Sequence, residues 1–290
     1  MHMRPECVPC QLKRALYEAS LVPGSDPNEV MQTALRVFNE YYPPPEGMDN
    51  NEVSSMVKEA VYRTIGSKDP QWENKRRSNK VALGLLPVVE RMIAESDDPL
   101  GTAVLAAVVG NVMDFGIKGS ADSPEHLSEI FHTHFEEGLF MDNTDLLRKR
   151  LSEVDEVLYM TDNAGEIVFD ILLIRELKKM GKRVVLMVRG EPILNDATLE
   201  DVEELALEKE VDRVTTTGHF GVGIAMGRAP QSVKDEIFGA QLIIAKGMGN
   251  YEGFADLELP PLIHLMRTKC QPVADDIGYP YQKNIAHYRD

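Results

Sequence analysis

The spacing of apolar residues changes near the middle of this chain. In the first part, apolar positions recur every three or four residues, which predicts helices. Asp26-Pro27 marks a helix start, and the apolar face of that helix extends over residues 30–38. We expect no strand before about residue 155, because no alternation of polar and apolar residues is found there.

Further helices follow in the same part. Asn51 opens one that Gly66 is expected to end, since glycine commonly follows the last turn of a helix. A longer helical pattern covers residues 74–96, and we expect Pro87 to interrupt it because proline breaks the backbone hydrogen bonding of a helix.

The second part contains five short apolar runs of strand length, mostly separated by helical patterns. They cover residues 156–161, 183–188, 211–215, 241–245 and 262–267. Buried strands that alternate with helices are typical of a parallel, doubly wound sheet. We therefore expect an α/β fold, with a helical subdomain over residues 1–150 and a catalytic α/β domain over residues 151–290.

The charge of the chain narrows the choice of partners. There are 31 Lys and Arg against 47 Asp and Glu residues, which gives a net charge of −16. Such an acidic surface repels nucleic-acid phosphates and anionic lipids, so we expect neither nucleic acid nor a membrane as a partner. A small phosphorylated ligand remains compatible, because one divalent cation and one or two lysines reverse the sign locally.

The sequence also predicts a cellular location. No apolar run approaches the roughly 20 residues that span a bilayer. The N-terminal residues lack the apolar core of a secretory signal. We therefore expect a cytoplasmic protein.

The chain has three cysteines, Cys7, Cys10 and Cys270. An odd count argues against a disulfide framework. The Cys7-x-x-Cys10 spacing fits half of a zinc site or a redox pair, but a closed zinc site needs four ligands. A buried thiol pair at the start of a helix is the alternative, and we favour it.

Polar residues follow each of the five predicted strands. In order, the segments are Asp162-Asn163-Ala-Gly165-Glu166, then Arg189 with Asn195-Asp196, then Thr217-Gly-His219, then Lys246-Gly-Met-Gly-Asn250-Tyr-Glu252, and then Lys269-Cys270. Ligands of parallel sheets bind at the carboxyl ends of the strands, so we expect these segments to meet at one edge.

Carboxylate, amide and lysine groups at one edge suit an oxygen-ligated cation beside a phosphate. Mg²⁺ and Mn²⁺ prefer carboxylate, carbonyl and water oxygens. The helix that starts after Asn163 offers backbone N–H groups to an anion, and Gly165 lets the backbone approach it closely. Taken singly, Asp162-Asn163 and Asn195-Asp196 also fit helix N-caps. The functional interpretation depends on their recurrence at successive strand ends.

The helical part contains one similar element. Asn111 and Asp114 are three residues apart on one helix face, next to Gly110. They are candidates for facing a cleft between the two parts of the chain, although a helix C-cap explains them equally well. His219, at the predicted strand edge, is a candidate proton donor or ligand.

Together these residues resemble the DUF89 family of metal-dependent damage-control phosphatases. The motifs that carry the resemblance are Asp162-Asn163-Ala-Gly-Glu166, Asp196 and Lys246-Gly-Met-Gly-Asn250-Tyr-Glu252. Three more are similar to its prokaryotic and archaeal branch: Cys7-x-x-Cys10, Lys75-Arg-Arg-Ser-Asn79 and Gly110-Asn111-x-x-Asp114. The similarity extends over nearly the whole chain.

The resemblance implies a helical part packed on a Rossmann-like three-layer domain. It also implies hydrolysis of phosphate esters of small metabolites, such as sugar phosphates or phosphopantetheine-like compounds. The implied cofactor is Mg²⁺, Mn²⁺, Co²⁺ or Ni²⁺, held at Asp162, Asn163 and Asp196, and Lys246 matches the position that contacts phosphate. Sugar-phosphate members have Asn-Tyr-Arg where this chain has Asn-Tyr-Glu252, so their substrates are not transferred.

Our mechanistic hypothesis is direct attack of water on a metal-held phosphate. Glu166 or Glu252 orients or deprotonates that water. A covalent phosphate on Asp162 is the rival, but the D-x-D motif that supports such a nucleophile is absent. We expect contacts to the substrate from Asn111, Asp114, Gly165, Arg189, Lys246 and Asn250.

Two other classes of function remain open. A methyltransferase is one, because a strand, Asp162-Asn-Ala-Gly165 and a helix resemble a nucleotide-binding turn, although such turns usually hold several glycines. A non-catalytic metal-binding protein with Cys7 and Cys10 as its main ligands is the other.

Overall fold

The protein is built on one mostly parallel sheet, seen in a computed structural model that describes residues 1–111 and 124–290. Its strands, in chain order, are β1 Met141–Asp142, β2 Glu156–Met160, β3 Arg183–Val188, β4 Arg213–Thr216, β5 Ile243–Lys246, β6 Leu262–Arg267 and β7 Asn284–Arg289. Their order across the sheet is β1-β7-β6-β5-β2-β3-β4. β7 is antiparallel to β6, and the other neighbouring pairs are parallel.

Helices surround this sheet and extend beyond it. Those before β2 are α1 Cys7–Leu21, α2 Pro27–Tyr41, α3 Asn50–Ile65, α4 Trp72–Ala94, α5 Pro99–Gly110, α6 Pro124–Glu136 and α7 Thr144–Leu151. Those after β2 are α8 Glu166–Lys179, α9 Leu199–Glu204, α10 Gln231–Phe238, α11 Gly247–Phe254 and α12 Gln271–Ile277, with a 3-10 turn at Leu207–Lys209.

The predicted α/β class with a mostly parallel sheet is confirmed, and the five predicted strands correspond to β2 to β6. The expectation of no strand before residue 155 is wrong, because Met141 of β1 pairs with Ile285 of β7. β1 has two residues, which is too short to show a period. β7 was not predicted either, because it mixes polar with apolar residues and does not form an apolar run.

Alternate residues of the central strands face opposite sides of the sheet. In β2, Val157 and Tyr159 pack in one core with α5 and α8. Leu158 and Met160 point the other way and pack with α10 and α11. This period of two residues places a helical layer on each face of the sheet.

Helices α1, α2 and α3 form a separate core that includes the predicted face of α2, with Val30 and Phe38 buried. α3 begins with reciprocal hydrogen bonds between Asp49 and Glu52. It ends at Gly66, whose φ of 67° lies in the left-handed region, as expected for a helix terminator.

Helix α4 continues through Pro87, so the predicted interruption there is wrong. Proline removes one backbone hydrogen bond from a helix. Leu85 and Val89, on either side of it, are both buried in the core shared with α5 and α8. This packing holds the helix together across the missing bond.

Two further expectations concern membrane-spanning segments and the division of the chain into subdomains. Among residues 1–111 and 124–290, no helix is both long and apolar enough to span a bilayer. The division of the chain into subdomains at residue 150 stays a prediction.

Candidate active site

The predicted loops converge where the sheet changes its winding direction. From β2 the chain proceeds to β3 and β4 on one side, whereas β5 and β6 lie on the other side of β2. Such a switch point opens a crevice at the carboxyl ends of the strands, which is the usual ligand site of α/β sheets. Asp162 follows β2 there, and Lys246 ends β5.

The loops after β2 and β3 are joined through their backbones. Asn163 and Asp196 form an isolated antiparallel bridge. The N–H of Ala164 donates to Asn195 O at 2.8 Å, and the N–H of Ala197 donates to Asp162 O at 2.8 Å. The three predicted metal-binding residues, Asp162, Asn163 and Asp196, are therefore brought together by main-chain bonds.

Arg189 lies between the two acidic members of this group. Its Nε donates to Asp196 Oδ2 at 2.5 Å, and its Nη2 is 3.5 Å from Asp162 Oδ1. Nη1 donates to Asn250 Oδ1 at 2.9 Å. The guanidinium is 1% exposed, so Arg189 positions the acidic residues rather than offering itself to solvent.

The ionised forms of Asp162 and Asp196 are both disfavoured by their surroundings. Burial, together with the charges of Glu166 and Asp196, raises the pKa of Asp162 to about 7, while Arg189 acts in the opposite direction. Burial also raises the pKa of Asp196, against the charge of Arg189. Two buried acids held this close favour a bound cation, because positive charge relieves both penalties.

Lys246 lies beneath the cleft and is fully buried. Its ammonium group donates to Glu166 Oε1 at 2.5 Å, to Asp170 Oδ1 at 2.6 Å and to Ala107 O at 3.0 Å. Asp170 also accepts from Tyr159 Oη at 2.7 Å. All three ammonium protons are thus used within the protein, and this placement does not support the expected contact of Lys246 with phosphate.

Glu166 belongs to the same buried group. Burial disfavours its ionisation, but the charge of Lys246 and hydrogen bonds from Lys246 and Asn111 hold the pKa of Glu166 below its ordinary value. A carboxylate that is ionised and fully bonded is a poor acceptor of a proton. The structure thus favours Glu166 as a group that orients its neighbours rather than as a base.

Two other expected substrate contacts are also occupied by protein groups. The backbone N–H of Gly165 donates to Asn79 Oδ1 at 2.7 Å. Asn250 is fully buried, and its Nδ2 donates to Thr161 O at 3.0 Å and to Lys246 O at 2.8 Å. These placements assign Gly165 and Asn250 to the architecture of the site.

Asn111 connects the helical part to the acidic group. It follows α5, and its Nδ2 donates to Asp162 Oδ2 at 2.9 Å and to Glu166 Oε2 at 2.7 Å. Its Oδ1 is buried and has no hydrogen-bond partner among the described residues. Asp114, its predicted companion, lies outside the described residues.

A cleft of about 390 Å³ opens above these groups. Five of the predicted site residues line this one cleft: Asn111, Asp162, Asn163, Asp196 and Glu252. His219 lies after β4, with its Nδ1 2.6 Å from Thr217 O.

The sequence interpretation missed the side of the cleft formed by α1. Cys7, Cys10, Gln11 and Arg14 all line it, as does Lys269 after β6. Cys10, Gln11 and Arg14 lie three, four and seven positions after Cys7, which places the four residues on one helix face. That spacing of polar residues is the signal in the sequence that marks this face, and it extends beyond the cysteine pair.

The expected buried thiol pair is only half present. Cys7 is buried at the first position of α1, whereas Cys10 is exposed, and Cys270 lies at the start of α12. Burial raises the pKa of Cys7 to about 11. All three thiols line the cleft.

Glu252 occupies the α11 side of the cleft. Burial raises the pKa of Glu252 to about 7, while a hydrogen bond from Asn50 and the charge of Arg14 oppose this shift. A carboxylate with a pKa near neutrality exchanges protons readily at physiological pH.

The donors at this edge fit a hard divalent cation. Asp162 and Asp196 supply carboxylates, Asn163 supplies an amide, and the unpaired Oδ1 of Asn111 is a further oxygen near Asp162. Within residues 1–111 and 124–290, no group of three or more His, Cys, Asp or Glu side chains is placed to hold a metal. The predicted set contains only two acidic members, so it depends on amide oxygens.

The chain is similar to known proteins over nearly its whole length. Residues 3–285 match the family described as "Damage-control phosphatase ARMT1-like domain". A damage-control phosphatase of Archaeoglobus fulgidus is 36% identical over 280 residues, which cover 96% of each chain. A damage-control phosphatase of Pyrococcus horikoshii is 32% identical over 227 residues, which cover 78% of this chain and 77% of that protein.

A solved structure agrees with these matches. The crystal structure of a DUF89 family protein from Pyrococcus horikoshii has a TM-score of 0.89 to this chain, with 26% identity and coverage of 100% of both chains. The resemblance carried by the strand-end motifs is thereby confirmed. The chain belongs to the damage-control phosphatase ARMT1-like, or DUF89, family.

Proposed function

We propose that this protein is a metal-dependent phosphatase that hydrolyses phosphate monoesters of small metabolites. The observation that carries the proposal is the convergence of Asp162, Asn163 and Asp196 around one cleft, with their loops paired through the backbone. The names of its relatives, which are damage-control phosphatases, support the same reaction.

In this proposal, Asp162, Asn163 and Asp196 hold Mg²⁺, Mn²⁺, Co²⁺ or Ni²⁺. When bound, such a cation supplies positive charge that offsets the charge of a phosphate ester. Arg189 fixes the orientation of Asp196 through its 2.5 Å hydrogen bond and connects it to Asn250. Asn111 fixes Asp162 in the same way from the helical part.

Lys246 and Glu166 support these ligands from below. Glu166 accepts hydrogen bonds from Lys246, Asn111 and Asn163, at 2.5 Å, 2.7 Å and 3.0 Å. Hydrogen-bond partners of metal ligands commonly change metal affinity or activity about 10- to 100-fold when removed. Lys269, which lines the cleft, is the better placed lysine for the phosphate group.

Glu252 is proposed to carry protons during hydrolysis. It lines the cleft, and its pKa of about 7 suits a group that takes a proton from water or returns one to the leaving alcohol. Glu166, by contrast, is bonded to Lys246 and does not have this freedom.

The dimensions of the cleft favour a small substrate. Its volume of about 390 Å³ lies at the lower end of the range for small-molecule pockets, which is roughly 300–1,000 Å³. The apolar residues Leu194, Val222, Met248 and Pro272 line it together with the polar groups. These surfaces suit the carbon skeleton of a phosphorylated metabolite.

The proposal is tested by release of inorganic phosphate from a panel of phosphorylated metabolites. Metal-free protein is assayed with each of the four cations and with chelator. We expect activity with at least one cation and none with chelator. Asp162→Ala and Asp196→Ala should abolish both this activity and the binding of Mn²⁺ measured by titration, because each removes a carboxylate ligand.

Asp97→Ala is the matched control, because Asp97 is exposed and lies outside the cleft lining. It should retain parental activity and metal binding. Phosphate release that persists in chelator, or in the Asp162→Ala and Asp196→Ala variants, would contradict the proposal.

A further inference from the structure

The cleft has a shortage of positive charge at the place where a phosphate must bind. Asp162, Asp196 and Glu252 already line it. The two cations nearest to the strand ends are buried and do not line it: Lys246 is bonded to Glu166 and Asp170, and Arg189 is bonded to Asp196 and Asn250. A phosphate monoester adds further negative charge near neutral pH, which one divalent ion only partly offsets.

Two basic side chains of the described residues line the cleft itself, Arg14 and Lys269. Lys269 comes from the segment after β6, on the sheet side. Arg14 comes from α1. A phosphate held at the metal-binding edge would thus have two basic side chains in the same cleft.

Helix α1 is well suited to present a fixed charge. Ala15 and Ala19 are buried in the core that α1 shares with α2 and α3. On the cleft side, Gln11 Nε2 donates to Ser54 Oγ of α3 at 2.8 Å, and that bond is buried. Arg14 lies one turn after Cys10 on this anchored face, so its backbone position is set by the core.

The position of Arg14 is also apparent from its effect on neighbouring acids. Burial raises the pKa of Glu252, and the positive charge of Arg14 opposes that shift. It acts in the same direction on the thiol of Cys270. Arg14 therefore lies close to the proposed proton carrier, in the cleft that Asp162 and Asp196 also line.

We propose that Arg14 is a phosphate-binding residue, whose guanidinium donates hydrogen bonds to the phosphoryl oxygens that face α1. This inference rests on the proposed phosphatase function and deepens it, because it makes the helical part a direct contributor to the active site. Arginine suits this role since its planar fork matches two oxygens of one phosphate.

The test compares Arg14→Gln and Arg14→Lys with Lys13→Gln. Lys13 is the matched control, because it is the adjacent exposed cation of the same helix and lies outside the cleft lining. Binding of inorganic phosphate to the Mn²⁺-loaded proteins is measured by calorimetry, and KM and kcat are measured with p-nitrophenyl phosphate. Mn²⁺ content and Tm are recorded for each variant.

We expect Arg14→Gln to weaken phosphate binding and raise KM by about 10- to 100-fold, which is the usual range for a lost hydrogen bond to a charged group. Arg14→Lys should fall between Arg14→Gln and the parent, because it keeps the charge and loses the fork. Lys13→Gln should match the parent. Mn²⁺ content and Tm should be unchanged, since Arg14 is exposed.

Two results with the variants would overturn the inference. One is parental phosphate affinity in Arg14→Gln. The other is an equal loss in Lys13→Gln and Arg14→Gln, which would indicate a general effect of net charge. A parent protein that binds phosphate through Arg14 but releases none from any ester would leave the inference standing and refute the proposed function. A parent protein that neither binds inorganic phosphate nor releases it from any ester refutes both.

Discussion

The ammonium group of Lys246 lies 2.5 Å from the carboxylate of Glu166, beneath the active-site cleft. Both side chains are at most 1% exposed. The pair resembles a phosphate-binding lysine and a catalytic acid when only the sequence is considered, yet in the fold each neutralises the other. The structural role of the pair follows from that contact. Glu166 accepts hydrogen bonds from Asn111 and Asn163, and these bonds hold both amides beside Asp162.

Removal of this lysine should affect folding before it affects substrate binding. Lys246→Met leaves Glu166 and Asp170 buried without their partner, so we expect it to lower the free energy of unfolding by about 3–5 kcal/mol. Urea denaturation measures the loss. Lys68→Met is the control, because Lys68 is exposed, and it should be within about 0.5 kcal/mol of the parent.

The same pair can be tested for coupling. Adding Glu166→Gln to Lys246→Met removes one of the two orphaned charges and should recover part of the lost stability. A Lys246→Met protein as stable as the parent, with a raised KM, would instead indicate that Lys246 contacts phosphate directly.

A methyl group at Gly247 should damage the metal site. Gly247 has a φ of 74°, and a Cβ there would overlap the carboxylate of Asp162. Gly247→Ala should therefore lower stability by about 1–3 kcal/mol and also displace Asp162. Titration with Mn²⁺ should show weaker binding than in the parent.

Gly24→Ala separates these two effects. Gly24 has a φ of 87°, but a Cβ there meets no atom within 4 Å. This variant should lose about 1 kcal/mol from backbone strain and keep parental Mn²⁺ affinity. Equal Mn²⁺ affinities in the two variants would show that Gly247 does not shape the site.

The stability of the protein should depend on the ionisation of Glu252. Burial raises the pKa of Glu252 from 4.5 to about 7, so between these values the folded chain holds a proton that the unfolded chain releases. The resulting stabilisation is complete below about pH 4.5 and is lost as the pH rises through about 7. Glu252→Gln does not ionise and should escape this loss.

We expect the Tm of Glu252→Gln minus the Tm of the parent, both measured without metal, to increase as the pH is raised from about 5 to about 8. Glu258→Gln is the matched control, because Glu258 is exposed, and its difference from the parent should be flat. If the Tm difference between Glu252→Gln and the parent also does not change with pH, the carboxylate of Glu252 is hydrated by water rather than buried in the lining of the cleft.

The thiols around the cleft should differ in reactivity. Cys10 is exposed, whereas burial raises the pKa of Cys7 to about 11 and keeps it protonated at neutral pH. Since the thiolate is the reactive form, N-ethylmaleimide should modify Cys10 before Cys7, as measured by peptide mass spectrometry. The adduct projects into the cleft and should lower phosphatase activity.

Cys10→Ser provides the control for this effect. It should retain activity and resist inactivation at low reagent concentrations, and inorganic phosphate should slow the inactivation of the parent. Inactivation of Cys10→Ser at the parental rate would assign the effect to Cys7 or Cys270 instead.

Much of the fold was accessible from local patterns. Strands β2 to β6 appeared as short apolar runs, and the capped start of α2 and the glycine that ends α3 were read from single residues. The continuation of α4 through Pro87 was not accessible in this way, because packing of Leu85 and Val89 in the core shared with α5 and α8 outweighs the propensity of proline. β1 escaped because two residues carry no period.

The sequence by itself determined the α/β class and the strand ends at which polar residues gather, since periodicity and the direction of parallel strands are local properties. Only the tertiary structure decided which of those residues face the cleft. Lys246 and Asn250 turn inward to satisfy buried partners, whereas Asp162 and Glu252 line the open space. The approach of α1 was likewise decided by packing, because the spacing of residues within α1 shows which of them share a face but not which distant segment that face meets.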